Sequence, residues 1–371
     1  MGQAAMEQVG DGKPKLLGLE AARAVCAFAV LMWHYSHFYT TPGSVLPPTN
    51  QQPLYALFRP FYEFGEAGVY VFWAISGFIF FWKYGAAIAA REVSAGRFFW
   101  LRVSRLYPLH LVTLLAVAAL QPCYVALVGS AFAVPDNSLP LFLAQLVMAS
   151  HWLGGAPFSF NAPSWSISAE VAVYAGFFLV VRRFGAGIGV TAAIAMLSLA
   201  ALVWGMGWPV IACAAFFFAG GGAAHWFGHA EANGSQRVGA CLILIVLVTA
   251  GAYSGWLSDR ALLPFVLLFA VVPGLFLAAQ DWAGLHRFAR PLRTAGNLTY
   301  ASYMIHFPLQ LIVAIAAAAS GKVLPVPSPW FLFAYLGVTM VLAHQVHRRF
   351  ERPMQDWLRA LTLSPRRTAA A

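Results

Sequence analysis

Arg23 and His34 stand eleven residues apart in an apolar run, residues 17–39. At about 100° per residue that spacing is roughly three turns plus 20°. On a helix both side chains leave nearly the same face, on the order of 16 Å apart along the axis. Glu20 and His37 extend the stripe by three residues at each end. A guanidinium is a fixed cation with a planar fork of donors, suited to phosphate or a developing oxyanion. An imidazole held in one tautomer by a carboxylate is a competent general base. Taken singly, each residue also has a plain structural use. A histidine in an apolar segment often serves as a hydrogen-bonded packing group, and an arginine near a helix end snorkels to the interface.

The elements that must hold these residues follow from composition. The chain has 371 residues, 60% hydrophobic and only 10% charged, where a soluble protein carries about 25% charge. The reading is an all-α polytopic membrane protein, with none of the short alternating segments of a barrel. The first span, about 17–38, is long enough to cross a bilayer. Its polar stripe must face protein or water, because lipid cannot satisfy it. A Pro-rich polar loop at 40–63 follows, then a span at 65–83, a basic amphipathic stretch from Arg91 to Arg105, and a third span at about 107–129. Residues 138–152 are apolar but too few to cross, and read as interfacial or re-entrant. Further spans are expected at about 164–181, 186–204, 208–227, 238–255, 261–279, 296–319 and 329–347, about ten transmembrane helices in one domain covering 1–371. No soluble domain is expected.

Charge distribution supports this topology. With ten spans, nineteen Lys and Arg residues fall on one side and only Arg59, Arg260 and Lys322 on the other, Arg23 lying within the first span. The positive-inside rule then makes the segment 1–16 and the basic tail 348–371 cytoplasmic. The net charge of +10 is explained by topology, so no nucleic-acid partner is implied. Residues 1–15 lack a signal-peptide h-region. Cys26, Cys123, Cys213 and Cys241 are scattered without metal-ligand spacing and read as small buried hydrophobes; no metal site is expected. With this topology the first span runs outward, placing Arg23 near the inner side and His34 in the outer half. The fourth span runs inward, so Glu170 also lies in the outer half and is expected to meet His34. His34, Arg23 and Glu170 are the candidate catalytic residues.

Five segments, in order, resemble the signatures of the membrane-bound acyltransferase family 3. They are Arg23–x10–His34; the run from Gly68 to Phe78, with Trp73 in place of a second Phe; Arg97 to Pro108; Trp165 to Glu170; and Thr299 to Pro308. A terminal Phe350–Pro353 is also similar to the family's tail. The resemblance implies an O-acyltransferase of the bacterial inner membrane. It would move an acyl group, commonly acetyl, from cytoplasmic acyl-CoA to a hydroxyl of a glycan or other acceptor. Acyl-CoA is then a donor substrate, not a resident cofactor. By the same analogy His34 is the essential base and Arg23 engages the donor.

On this footing Arg102 and Arg105, at the inner mouth of the third span, are candidates for the phosphates of coenzyme A, though positive-inside anchoring explains them equally. Ser76 and Gly77 fall mid-span, where glycine permits close approach by a pantetheine arm or merely by another helix. Tyr303 and His306 either line the tunnel or cross-link helices. Glu63 and Glu66 lie at the outer mouth of the second span. Both are candidates for contact with an acceptor, Glu66 above all, although interfacial solvation is the plainer reading. Trp33, Tyr35 and Trp165 are candidates for stacking on a sugar. A transporter or flippase is the alternative, since intramembrane polar groups also mark substrate paths. No pairing of broken helices in two halves supports it.

Overall fold

The computed structural model describes residues 16–42, 51–229 and 287–363. The spans expected at about 238–255 and 261–279 lie outside the described residues, as do residues 1–15 and Cys241. Among the described residues there is no strand. Helix α1 is Leu17–His34, continued by a 3-10 turn at Tyr35–Thr40. The chain proceeds through α2 (Tyr55–Phe64), α3 (Ala67–Phe80), α4 (Ala95–Val128), α5 (Leu139–Leu146) and α6 (Trp165–Phe184). It continues with α7 (Ile188–Val203), α8 (Pro209–His229), α9 (Ala289–Ser320), α10 (Pro329–Val346) and α11 (Arg352–Leu363). Seven of the described helical stretches are long and apolar enough to cross a membrane; α7 is apolar but shorter. The protein is a polytopic helical membrane protein.

Two expectations change. The loop at 40–63 contains a helix, α2, with a proline inside it. From Ala95 onward the basic stretch, with Arg97, Arg102 and Arg105, and the third span are one helix of 34 residues; Arg91 precedes it. Ser94 starts it by accepting a hydrogen bond from the backbone N–H of Arg97 at 3.3 Å, an N-cap that lies before the charges. The described part of the basic tail is helical: α10 passes through a π turn at His347–Glu351 into α11, and Trp100 donates to the carbonyl of Leu358 at 3.0 Å. The segment 138–152 contains no helix long enough to cross. It forms only the eight-residue α5.

Helix α9 packs along α1, α4 and α10, whereas α3 packs against α1 and α8. An aromatic core fills the space between α3, α4, α6 and α8, with Phe80 stacked on Tyr174 at 4.3 Å between ring centroids. Close helix approach needs glycine at several places, Gly77 and Gly296 among them. A side chain at Gly77 would overlap the backbone carbonyl of Phe217 on α8, and one at Gly296 would overlap the carboxylate of Glu20. Basic segments gather at one end of the bundle, where Arg182 donates to the carbonyl of Val93 at 3.3 Å.

Overpacking a helix contact costs about 1–3 kcal/mol. Gly77→Val should therefore lower the melting temperature of the detergent-purified protein by several degrees. Gly176→Ala, where an added methyl meets nothing within 4 Å, should leave it unchanged or higher.

Candidate active site

The polar stripe on α1 faces α9 from end to end. At the basic end Arg23 pairs with Glu20 at 3.2 Å on its own helix and donates to Thr299 on α9 at 3.0 Å. Gly296 makes room for the Glu20 carboxylate. Further along, Nδ1 of His34 lies 3.1 Å from Nε2 of His306. The two rings stack with centroids 4.9 Å apart at 26°. His37 stands 5.0 Å from His34, ring to ring, and its Nδ1 is 3.1 Å from Oε1 of Gln310. The amide of Gln310 donates to the carbonyl of His34 at 2.8 Å. That carbonyl sits where α1 tightens into the 3-10 turn, so one glutamine fixes both the backbone of His34 and the ring of His37. Among the described residues, no three metal-ligating side chains are placed to share an ion.

Two cavities meet at Arg23. The outer one, a vestibule of about 290 Å³, opens at the basic end between Glu20, Lys83, Arg105, Asn297, His347 and Glu351. Both π turns of the described residues, Phe81–Gly85 and His347–Glu351, contribute to its wall. The inner cavity, about 120 Å³, is lined by apolar residues of α3 and by Arg23, Arg102, Arg105, Ser76, Glu170 and Tyr303. Arg23, Arg105, Ile79 and Tyr300 line both. His34 lines neither. Tyr303 carries the wall onward, its ring 5.8 Å from that of His306. The Tyr303 hydroxyl donates to the carbonyl of Pro163 at 2.6 Å and lies 2.7 Å from the Ser166 hydroxyl.

Residues 16–344 match the acyltransferase domain of acyltransferase family 3. The chain belongs to this family. The acyltransferase MdmB of Streptomyces mycarofaciens is 33% identical over 121 residues, a stretch that is 32% of this chain and 29% of that relative. The match therefore spans less than a third of the relative's length. No solved structure matches the chain.

Within this acyltransferase-family bundle several expected placements change. Glu170 does not partner His34. Its carboxylate accepts from Ser76 and Tyr174 and shares the inner cavity with the arginines. Matching depth did not make α6 a neighbour of that part of α1, because α9 covers the face and α6 packs on α8. Arg102 is not at a helix mouth. Because α4 begins at Ala95, Arg102 lies buried among Phe80, Tyr84 and Phe98, its guanidinium 4.7 Å from the Phe80 centroid and donating to the Tyr84 hydroxyl at 3.1 Å. Arg105 is the exposed member of the pair. Ser76 lines the inner cavity but Gly77 faces α8, so of the two readings of Gly77 the helix contact holds.

Among the acceptor candidates, Trp165 packs edge-on against Trp73 at 5.6 Å and is partly exposed. Glu66 accepts from Tyr70 at 3.3 Å. Glu63 is engaged by the Tyr55 hydroxyl and by Arg59, which hold its carboxyl below the usual carboxylate range. Tyr35 is fully buried with its hydroxyl on the carbonyl of Val326 at 2.7 Å, so it offers no face to a sugar. His306 is fully buried and cross-links α9 to α1. Cys123 is exposed, contrary to expectation, while Cys26 and Cys213 are buried.

Thr299, Gln310, Tyr174 and Asn161 were not singled out by sequence. Asn161 had a signal. Pro308, two residues after His306, has no N–H for the carbonyl of Met304, and the Asn161 amide donates to that carbonyl at 3.2 Å. Asn161→Ala should destabilise the protein by about 1–2 kcal/mol. Adding Pro308→Ala should recover most of that loss, because alanine supplies the missing helical N–H. Thermal melting of the two single variants and the double variant checks this. Simple additivity would contradict it.

Proposed function

We propose that the protein is an O-acyltransferase of the bacterial inner membrane, taking a short acyl group such as acetyl from cytoplasmic acyl-CoA and placing it on a hydroxyl of a glycan or other envelope or secondary-metabolite acceptor. The observation that carries this reading is the meeting of a cation-lined vestibule and an apolar inner cavity at Arg23. Arginine and lysine suit the phosphates of a coenzyme A donor. The apolar inner cavity suits its uncharged arm. Positive-inside placement of the basic end makes the vestibule cytoplasmic.

Arg23 and His34 are too far apart, on the order of 16 Å along α1, to act on one atom. Arg23 holds the donor near its charged end. His34 works at the thioester end, where the acceptor hydroxyl loses its proton. As the oxygen attacks the carbonyl carbon, Nε2 of His34 takes that proton. The C–S bond breaks, and the thiolate leaves as a thiol once His34 returns the proton. Glu170 supplies counter-charge to the guanidinium groups that share its cavity. The transporter reading gains no specific support from this arrangement.

General-base catalysis is worth about 10²–10⁴-fold. His34→Ala should thus reduce acyl transfer by at least about 100-fold while the variant binds acetyl-CoA as the wild type does. Arg23→Ala should instead raise the KM for acetyl-CoA by about tenfold or more. Mass spectrometry of envelope glycans from cells carrying each variant, with acetyl-CoA titrations of the purified proteins, makes the comparison. Full transfer by His34→Ala would remove His34 from the mechanism.

A further inference from the structure

The base assigned to His34 needs a group that fixes its tautomer, and the carboxylate expected for that task is elsewhere. We propose that His306 is that positioning residue, so that the reaction uses a His–His pair in place of a carboxylate–His pair. The proposal rests on the reading of His34 as the base.

Three observations carry it. His306 is fully buried on α9 and, like His34, lines neither cavity. Its Nε2 lies 3.1 Å from Nδ1 of His34, a hydrogen-bond distance. The His34 end of that contact is fixed independently, because Gln310 holds the His34 carbonyl and the adjacent His37 ring. Tautomer logic then follows. For Nε2 of His34 to accept a proton, Nδ1 must carry one, and that N–H needs an acceptor. Nε2 of His306 is the acceptor, which puts the proton of His306 on its own Nδ1, a buried nitrogen beside the backbone carbonyls of Ser302 and Tyr303 on α9. A neutral imidazole does this without burying a formal charge at membrane depth, where an ionised carboxylate is costly.

The proton balance closes. The acceptor O–H gives its proton to Nε2 of His34, and the imidazolium formed is stabilised through its Nδ1–H on His306. When the thioester C–S bond breaks, the proton passes from Nε2 of His34 to the thiolate sulfur. Both imidazoles end neutral, in their starting tautomers.

The test compares His306→Phe with His306→Gln in the full-length purified protein. Phenylalanine keeps a stacked ring without a nitrogen; glutamine keeps an acceptor oxygen. His306→Phe should lower kcat by about 100-fold with the KM for acetyl-CoA within about threefold of wild type. His306→Gln should retain kcat within about tenfold of wild type. If the phenylalanine variant does not purify folded, His306→Leu carries the same expectation. The proposal is overturned if the phenylalanine variant keeps wild-type kcat, if glutamine is as damaging as phenylalanine, or if the loss appears in KM. An inactive His34→Ala beside a fully active His306→Phe would overturn this pairing and leave the base assignment intact. An active His34→Ala would overturn both.

Discussion

A charged or polar side chain on a membrane helix must find a partner inside the protein, because the bilayer offers none. Helix α1 and the 3-10 turn that continues it carry four such groups on one face, and α9 meets each of them. Glu20 fits against Gly296, Arg23 binds Thr299, His34 meets His306, and both the His34 carbonyl and His37 bind Gln310. These partners span residues 296–310 and recur at helical spacing, so the two helices are locked in register as well as in contact. Pro308 interrupts the hydrogen bonding of α9 within this zone, and Asn161 from a neighbouring segment repairs it. The bundle elsewhere is held mainly by apolar and aromatic packing. Along this seam it is held by directional bonds, which fix side-chain geometry far more tightly.

The seam also organises access. Arg23 stands where the vestibule narrows into the inner cavity, held by a carboxylate on its own helix and a hydroxyl across from it. Arg102 is withdrawn into an aromatic cage, while Arg105 stays exposed along both spaces. Both arginines line the inner cavity, and only Arg105 also lines the vestibule. The His34–His306 pair lies farther along, past Tyr303, away from the vestibule's charges. Under the proposed function, this layout would separate recognition of a charged donor from activation of a hydroxyl.

Much of this was legible in the sequence. The stripe of Glu20, Arg23, His34 and His37 follows from helical periodicity. Hydropathy located eight of the ten expected spans to within about seven residues of a described helix, the start of the third excepted. That start was misplaced because Arg97, Arg102 and Arg105 look interfacial. Arg102 and Arg105 enter the bundle because aromatic rings and a cavity, which hydropathy does not register, accommodate them. The site was half legible. Residue types identified the imidazole and the guanidinium, but the partner of His34 was assigned by depth alone. Depth constrains the position of a residue along the membrane normal and says nothing about which helix lies beside it. His306 was visible in its motif; its role required knowing that α9 covers α1.

The most direct test of the account is a structure of the full-length protein with a non-transferable acetyl-CoA analogue bound. The account places the nucleotide in the vestibule beside Arg23 and Arg105, with the arm running inward and the acyl carbon within about 6 Å of Nε2 of His34, close enough for one hydroxyl to bridge base and carbonyl. An analogue bound outside the vestibule, or with its acyl carbon held beside Glu170 and out of reach of His34, would contradict it.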